Sequence, residues 1–591
     1  MGCYTPGRFA GECMSDDATL LTAPGAAFEL IDTDLRGYHC RIFRHAPATL
    51  PEFYSRLDWR ADRDFLVYGG ERLSFAATWA RSAALAVALH GRFRIGPGSR
   101  VGLALRNLPE WIIAFLAVSR LGAVPVLLNS RGAAAELVHA RDLTRCALLF
   151  ADGRCGRELA RTGASPVPWF VVADSAASGA DAERDAADLD AARAAGAGDF
   201  AELLRAGADG TPPEVRVGPL DPAMILFTSG TTGRARGAVL CHIGTTHAIH
   251  ANLFSGALVG RRIAARLGVP LEQLAARMPQ VSQLLVFPLF HTSGVHSGFL
   301  ATLARGGKIV LMRRWHAAAA LELIARERIT QFPAVPTMLW DLVHEPLAGA
   351  PDCSTLTSVS TGGQGLPAGL LAELVRRFPN AVPGTGFGLT ESTGAVALAV
   401  GEEFLAHPHA AGRVLPTAAV RIVGPDDRLL PPGEPGEICL RGITIMLGYD
   451  GEPEETARAL DAEGFLRTGD IGYIDADGFI CVVDRKKDMV ISGGENIWCA
   501  EVERVLLASP DVLEAAAFGV PDARLGERLV AVVVPRAGSG ARLTPAAMQA
   551  LVGAQLAAYK VPGEVVVQAA ALPRNQLDKV DKRVLRQRYA G

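Results

Sequence analysis

Residues 228–237 concentrate groups that bind phosphate, since they read Thr-Ser-Gly-Thr-Thr-Gly-Arg-Ala-Arg-Gly after an apolar run. The hydroxyl donors in this stretch are Thr228, Ser229, Thr231 and Thr232. The glycines that let backbone N–H groups turn toward an anion are Gly230, Gly233 and Gly237. Arg234 and Arg236 add charge-assisted contacts. The spacing differs from that of the GxxxxGK[ST] nucleotide loop, so it predicts another kind of triphosphate loop, with a polar surface turn as the alternative.

Five further motifs place polar groups after apolar runs. They are Phe387-Gly388-Leu389-Thr390-Glu391, Thr468-Gly469-Asp470, Asp484-Arg485-Lys486-Lys487-Asp488, Ser492-Gly493-Gly494-Glu495-Asn496 and residues 572–579, which end in Lys579. Each also has an ordinary structural interpretation. Phe387 could be a core aromatic, Asp470 a turn carboxylate, and Lys579 one cation of a solvated basic tail. His291, which follows an apolar run, could be a hydrogen-bonded structural histidine.

Composition restricts the class of protein. A chain of 591 residues is too long for one core, so two or more domains are expected. A hydrophobic fraction of 49% and a net charge of −3 describe an ordinary globular protein and give no reason to expect nucleic acid or an anionic membrane as partner. The ten cysteines form no CxxC pair, which argues against zinc and disulfides and favours the cytoplasm. No transmembrane segment or secretory signal is expected.

Alternating strand and helix signals predict how these residues are positioned. Ser74 can cap a helix that ends near Gly91, and 109–121 reads as a helix between strands at 100–105 and 124–128. That order predicts a parallel α/β layer. Further strands are predicted at 148–150, 170–172, 224–227, 308–312 and 359–361.

The fold class predicted from these elements is α/β, with a large N-terminal body of doubly wound α/β layers, a β-rich portion after about residue 415, and a small mobile α+β C-terminal domain. The predicted boundaries are a partly flexible extension at 1–40, a large domain at 41–486 and a small domain at 487–591. Residues 177–210, rich in Ala, Asp and Gly, are predicted to form a flexible insertion.

The six motifs, in this order over nearly the whole chain from about residue 50, resemble those of the adenylate-forming superfamily of acyl-CoA synthetases, peptide-synthetase adenylation domains and luciferases. The chain is most like a stand-alone acid–CoA ligase. The resemblance implies that a carboxylic acid and ATP form an acyl-adenylate and pyrophosphate, and that a thiol then takes the acyl group and releases AMP. It also implies Mg²⁺ as cofactor and coenzyme A as co-substrate.

The resemblance assigns catalytic roles to Lys579, His291, Thr232 and Glu391, with Glu391 also holding the metal. It assigns nucleotide or coenzyme A contacts to Thr228, Ser229, Gly230, Thr231, Thr232, Gly233, Arg236, Gly363, Phe387, Gly388, Thr390, Asp470, Arg485, Lys487, Gly493 and Gly494. Within that set it implies that Phe387 stacks on adenine, Asp470 binds ribose and Lys487 is a domain hinge.

Three residues depart from the family pattern. Arg236 replaces a lysine, Ala235 a proline, and Asp578 the glycine before the catalytic lysine. Because the planar guanidinium is not a point charge, slower turnover rather than none is expected.

The acid and its acceptor are less closely defined. The stretch Leu289-Phe290-His291 lacks the carboxylate that would hold an α-ammonium group, which argues against an amino acid. Small residues at positions resembling the acyl-pocket wall favour a bulky aliphatic, alicyclic or aromatic acid, unless close backbone approach requires them: Ser293, Gly294, Ser297, Gly298, Gly362, Gly363 and Gly386.

Coenzyme A is the favoured acceptor. An acyl-carrier protein, a luciferase-type oxygenase and a catalytically impaired nucleotide-binding homologue stay open. Either a monomer or a homodimer is expected.

Overall fold

The computed structural model describes residues 16–163, 165–228, 235–346, 351–362, 366, 368–493, 495–536, 538–540, 542–574 and 579–590. The described chain forms two compact units. The larger unit comprises residues 16–420 and Leu440–Leu466, and the smaller one comprises Arg421–Cys439 and residues 467–590. None of the helices in these ranges is both long and apolar enough to cross a bilayer.

The strands of both units are, in chain order, β1 Leu30–Leu35, β2 Tyr38–Phe43, β3 Asp64–Tyr68, β4 Glu71–Ser74, β5 Arg100–Ala104, β6 Val124–Leu127, β7 Leu148–Asp152, β8 Trp169–Val172, β9 Gly198–Asp199, β10 Pro222–Thr228, β11 Arg236–Cys241, β12 Ser282–Leu285, β13 Lys308–Leu311, β14 Gln331–Pro333, β15 Ser358–Gly362, β16 Val382–Leu389, β17 Gly394–Val400, β18 Gly412–Val414, β19 Ala418–Val423, β20 Gly436–Gly442, β21 Gly448–Tyr449, β22 Leu466–Ile474, β23 Phe479–Arg485, β24 Val490–Ser492, β25 Glu495–Ile497, β26 Val512–Asp522, β27 Gly526–Pro535 and β28 Glu564–Val567.

The α-helices are α1 Asp16–Thr22, α2 Leu50–Ser55, α3 Phe75–Phe93, α4 Pro109–Arg120, α5 Ala134–Leu143, α6 Gly153–Ala160, α7 Ala180–Ala194, α8 Phe200–Ala206, α9 His242–Leu267, α10 Leu271–Arg277, α11 Ala301–Ala304, α12 Ala317–Arg326, α13 Pro336–His344, α14 Ala368–Arg377, α15 Glu402–Ala406, α16 Pro453–Ala459, α17 Cys499–Leu507, α18 Pro545–Gly553 and α19 Lys582–Tyr589. A π-helix spans Ser293–Leu300, and 3₁₀ turns span Thr390–Ser392, Lys486–Asp488 and Ala558–Lys560.

The predicted parallel α/β layer is confirmed in the larger unit. One sheet has the order β21-β11-β10-β6-β5-β7-β8-β9, and all its pairs from β10 to β9 are parallel. Nine other strands of this unit lie in the order β18-β17-β16-β15-β14-β12-β13-β3-β4. Their central pairs, from β16 to β3, are also parallel, and the fold class expected from sequence is thereby confirmed.

The capped helix predicted after Ser74 is present as α3. Ser74 Oγ accepts a hydrogen bond from the Ala77 N–H at 3.1 Å, which satisfies one of the free donors of the first turn. The helix continues past the predicted stop at Gly91 and ends at Phe93, where Arg94 adopts a left-handed conformation with φ of 55°. Glycine was therefore the wrong end signal, because an arginine takes the conformation that usually favours glycine.

The prediction of a flexible insertion at 177–210 is wrong, since this segment contributes α7, β9 and α8 to the α/β layer. Leu189 and Ala192 of α7 are buried in the core formed with β7 and β8, and β9 extends the sheet in parallel with β8. Two acidic residues of α7 also face inward: Asp188 pairs with Arg157 at 2.9 Å, and Asp185 Oδ2 accepts the Asp174 N–H at 3.0 Å. Partnered carboxylates allow an alanine- and aspartate-rich segment to pack.

The described part of the predicted N-terminal extension also packs as regular structure. Strands β1 and β2 form an antiparallel hairpin, and Ala18 of α1 and Phe43 of β2 share a core with Phe254 of α9. The rings of Phe28 and Phe254 lie 5.5 Å apart at 67°. Aromatic burial therefore holds residues 16–43 on the larger unit.

The smaller unit contains a mixed sheet with apolar side chains on both faces. Strands β25, β24, β27 and β26 lie in that order, and β28 pairs in parallel with β27. Alternate residues of β26 enter different cores: Ala517 packs with α17 and α18, whereas Phe518 packs with Leu585 of α19. The predicted α+β character of this part is present. The boundary predicted at residue 487 falls within the smaller unit and stays a prediction.

Candidate active site

The two ends of the predicted phosphate loop lie opposite each other in the larger unit. Thr228, the last residue of β10, pairs with Arg236, the first residue of β11, in an antiparallel register. The predicted site residues that lie outside the described residues are Ser229, Gly230, Thr231, Thr232, Gly233, Gly363 and Gly494. The structure therefore positions the base of the loop.

Arg236 contacts acidic and aromatic side chains of the larger unit. Its guanidinium forms an ion pair with Glu455 of α16, and its Nε lies 3.6 Å from Glu452 Oε2. The guanidinium carbon also lies 5.3 Å from the centre of the Tyr449 ring. With a side chain only 15% exposed, this arginine is held by three protein groups. Any contact with a phosphate has to compete with them.

The motif that ends in Glu391 forms a sharp strand-to-turn junction. Phe387 is buried in β16, and the pairing of β16 with β17 is irregular between Phe387 and Gly388. A Cβ at Gly388 would lie 1.9 Å from the Gly394 carbonyl oxygen, so only glycine allows this close approach. The 3₁₀ turn Thr390–Ser392 then carries Thr390 and Glu391. It also contacts β10 and β11, the strands of the phosphate loop.

Glu391, the predicted Mg²⁺ ligand, is held by a neighbouring tyrosine side chain. Its Oε1 accepts a hydrogen bond of 2.8 Å from the Tyr449 hydroxyl. Burial, and next the Glu391 charge, raise the pKa of Tyr449, so the phenol stays a donor. A hard oxygen ligand fixed in this way fits an ion that takes its remaining ligands from phosphates and water. Sequence reasoning missed Tyr449, although the Gly448-Tyr449 pair after an apolar run is a usable turn signal.

His291 precedes the π-helix, an element that is frequent at functional sites. The rings of Phe290 and His291 have centroids 4.8 Å apart. A Cβ at Gly294 would lie 2.0 Å from the Pro288 carbonyl oxygen, so the first turn of the π-helix packs directly on the preceding backbone. Deeper in the helix, burial lowers the pKa of His296 to about 3, which keeps that ring neutral. Sequence reasoning did not single out His296.

Most described glycines of the predicted acyl-pocket wall serve packing. Added Cβ atoms at Gly298 and Gly386 would lie 2.3 Å from a Leu285 methyl and 2.7 Å from a Leu398 methyl. With Gly294, these positions are already filled by the chain itself, so the inference that they leave room for substrate is wrong. Gly362 differs, because a Cβ there would meet nothing within 4 Å. Among the described glycines of this predicted wall, Gly362 alone borders open space.

In the smaller unit, β22 and β23 bring the predicted ribose-binding residues together. Asp470 and Arg485 are register partners, and Arg485 Nε lies 3.1 Å from Asp470 Oδ1. Asp470 is 4% exposed, which strengthens this ion pair relative to one in water.

Lys579 lies in the electrostatic environment of this pair. Burial, and next the positive charge of Arg485, lower the pKa of Lys579 to about 8, while Asp470 acts in the opposite direction and Lys487 in the same one. The structure thus brings Lys579 to two residues that lie 94 and 109 positions earlier in the chain. The β-rich character of this part was predicted from sequence, but the approach of Lys579 to the pair was not.

The predicted hinge residue Lys487 and the predicted nucleotide or coenzyme A contact Gly493 also lie in the smaller unit. Lys487 lies in the 3₁₀ turn after β23, and its carbonyl oxygen accepts a 3.4 Å hydrogen bond from Arg586, which also pairs with Asp488 at 3.0 Å. Gly493 has a φ of +60° and donates its N–H to the Leu525 carbonyl at 2.8 Å. The left-handed conformation favours glycine here.

Comparison with known proteins gives a consistent result. Residues 54–450 match the family described as AMP-binding enzyme, and residues 501–579 match the AMP-binding enzyme C-terminal domain. Feruloyl-CoA synthase of Amycolatopsis sp. is 34% identical over 88% of this chain and 95% of its own length. Indoleacetate–CoA ligase of Aromatoleum aromaticum is 34% identical over 82% of this chain and 87% of its own. The amide bond synthetase McbA of Marinactinospora thermotolerans superposes with a TM-score of 0.75 at 26% identity, covering 92% of this chain and all of McbA.

Proposed function

Because the chain belongs to the family of AMP-binding enzymes, we propose that it is an ATP-dependent ligase that joins a carboxylic acid to coenzyme A. The carboxylate attacks the α-phosphate of ATP to give an acyl-adenylate and pyrophosphate. The coenzyme A thiol then takes the acyl group, and AMP leaves. The observation that carries the proposal is the position of Lys579 beside the Asp470–Arg485 pair.

Lys579 supplies what the first step needs. Two anions, the carboxylate and the α-phosphate, must approach each other, and an ammonium between them offsets the repulsion and follows the charge as it develops. Asp470 is suited to accept ribose hydroxyls, and Arg485 to hold ribose and phosphate. In the larger unit, Glu391 would hold Mg²⁺, which when bound draws negative charge toward the leaving pyrophosphate. Thr228, Thr390 and Phe387 remain proposed nucleotide contacts, and His291 is proposed to gate the acyl pocket.

We place the acid among ring-bearing carboxylic acids. Two relatives are named for feruloyl and indoleacetate groups, and both act on acids that carry an aromatic ring. Open space beside Gly362 supports room for such a group. Coenzyme A is the proposed thiol, and Gly493 is proposed to give it access, because a residue without a side chain leaves room beside the backbone. The eight cysteines in the described part of the chain are free, which supports a cytoplasmic location.

The test is AMP release from ATP with ferulate, indoleacetate, a medium-chain fatty acid, acetate and phenylalanine, each with and without coenzyme A. We expect acid-dependent AMP that requires coenzyme A and is largest with the two ring-bearing acids. Lys579→Ala should lower the rate by about a hundredfold or more. Lys560→Ala is the matched control, because Lys560 belongs to the same unit but pairs with Glu501 at 2.6 Å. Absence of AMP with every acid would overturn the proposal, and AMP formed only with a holo-carrier protein would change the acceptor.

A further inference from the structure

Residues 444–450 hold Glu391 at both its backbone and its side chain. The Met446 N–H donates to the Glu391 carbonyl oxygen at 2.8 Å, and the Tyr449 hydroxyl donates to the carboxylate at 2.8 Å. Thr393, two residues after Glu391, donates its hydroxyl to the Thr444 carbonyl. The carboxylate proposed to hold Mg²⁺ is thus fixed by one short segment.

Tyr449 is itself held on several sides. Its N–H donates to Thr456 Oγ1 at 2.8 Å, and β21 pairs Tyr449 with Ala238 of β11. Asp450 donates its N–H to the Gly237 carbonyl at 2.7 Å and accepts two hydrogen bonds, of 2.7 and 2.9 Å, from Arg100. These contacts fix the backbone at Tyr449 and at the residue after it.

The same ring contacts the base of the phosphate loop. The Arg236 guanidinium lies over it, and Glu455 of α16 pairs with that guanidinium. Glu455 and Thr456 are consecutive, so one turn of α16 fixes both the arginine and the tyrosine. The geometry therefore connects Arg236 at the base of the loop, the tyrosine ring and the Glu391 carboxylate.

We propose that Tyr449 is a positioning residue that fixes the Glu391 carboxylate for Mg²⁺·ATP. The inference rests on the proposed function, which gives Glu391 its metal. A hydrogen bond to a charged acceptor is among the stronger ones in proteins, and a carboxylate already held in one orientation loses less freedom when it binds an ion. The expected consequence is a Mg²⁺-dependent gain in nucleotide affinity that requires the phenolic hydroxyl.

The experiment uses Tyr449→Phe, which removes the donor and keeps the ring. Tyr68→Phe is the matched control, because Tyr68 is also buried and donates to a carboxylate, Asp174, at 2.8 Å. Calorimetric titration of the full-length protein with α,β-methylene-ATP at several Mg²⁺ concentrations needs neither acid nor coenzyme A. We expect Tyr449→Phe to raise the half-saturating Mg²⁺ concentration by about tenfold and to leave Mg²⁺-free binding unchanged. Tyr68→Phe should behave as wild type.

A third and a fourth variant separate positioning from general destabilisation. In Glu391→Gln the Mg²⁺-dependent gain should be largely lost, and adding Tyr449→Phe should change it no further. Independent effects of the two substitutions, or wild-type Mg²⁺ dependence in Tyr449→Phe, would overturn the proposal, as would an equal shift in Tyr68→Phe. Failure of the ligase proposal is distinguishable, since it would show as no AMP with any acid while Mg²⁺-linked nucleotide binding persists.

Discussion

The pH dependence of the adenylation step tests the role of Lys579 most directly. The lysine is partly buried beside Arg485, and its pKa is lowered from 10.5 to about 8. If the protonated ammonium stabilises the attack on the α-phosphate, the step should follow the protonated fraction of this one group. The experiment therefore raises the pH through 8 and follows the rate of adenylation.

The expected decrease in the adenylation rate follows from the pKa of Lys579. A lysine with a pKa of about 8 is about 90% protonated at pH 7 and about 10% protonated at pH 9. Adenylation should consequently slow by about tenfold over this interval. Transfer of the acyl group from a preformed adenylate to coenzyme A should not follow the same curve, since Lys579 is assigned to the first step.

The assay is single-turnover pyrophosphate release between pH 6 and 10, with the best acid from the substrate panel. Lys579→Arg is the decisive comparison, because a guanidinium stays charged over this range even though its shape lowers the rate. We expect the alkaline decrease to disappear in Lys579→Arg. A rate that stays constant to pH 9.5 in the wild type, or the same alkaline decrease in Lys579→Arg, would show that adenylation does not depend on the protonated Lys579.

The free energy of unfolding of the smaller unit gives a second measurement of the pKa of Lys579. Because the folded-state pKa is lowered, the unfolded chain binds more protons between pH 8 and 10.5, so this lysine makes the wild type more stable as pH rises through that window. Below pH 8 its burial costs up to about 3 kcal/mol. Lys579→Met should therefore raise the free energy of unfolding of the smaller unit at pH 7, and the gain should vanish near pH 10.5. Equal gains at both pH values would contradict the lowered pKa.

Three further predictions concern other parts of the chain. Glu455→Gln should free Arg236 and tighten ATP binding several-fold in calorimetry, and it should have no such effect in a protein that also carries Arg236→Met. The same gain with and without Arg236→Met would indicate a long-range charge effect. Lys487→Pro should slow thioester formation more than adenylation in separate half-reaction assays; equal losses would count against a hinge. Leu189→Ala should destabilise the larger unit by about 2–4 kcal/mol in urea denaturation, and no loss would restore the idea of a flexible insertion.

Local patterns were enough to predict the parallel strands and the chemistry of the motifs. Fully apolar runs such as 101–105 can only be buried, and a strand–helix–strand order then restricts the pairing to parallel. Ser74 could be assigned as a cap because its hydrogen bond reaches only three residues along the chain. These features depend on neighbours in sequence, and for that reason they could be predicted without tertiary information.

Predictions from composition were wrong where a residue makes its contacts with groups that are distant in sequence. The segment 177–210 looks too acidic and alanine-rich to pack, yet Asp188 meets Arg157 across the layer and Leu189 enters the core. The glycines near the π-helix looked like space for a substrate, but Gly294 lies against the Pro288 carbonyl. In both cases the deciding contact lies on another element or on a different turn of the chain.

The family, the order of the motifs and the residue types that the chemistry needs can be read from the sequence alone. The partner of each charged side chain depends on the fold. Lys579 and Lys582 are three residues apart in the same basic tail, but Lys582 Nζ lies 2.8 Å from Glu503. Burial alone would lower the pKa of Lys582, yet the Glu503 charge raises it, whereas Lys579 beside Arg485 has a lowered pKa. A charge takes its properties from groups within a few ångströms, and folding brings those groups from distant positions in the chain.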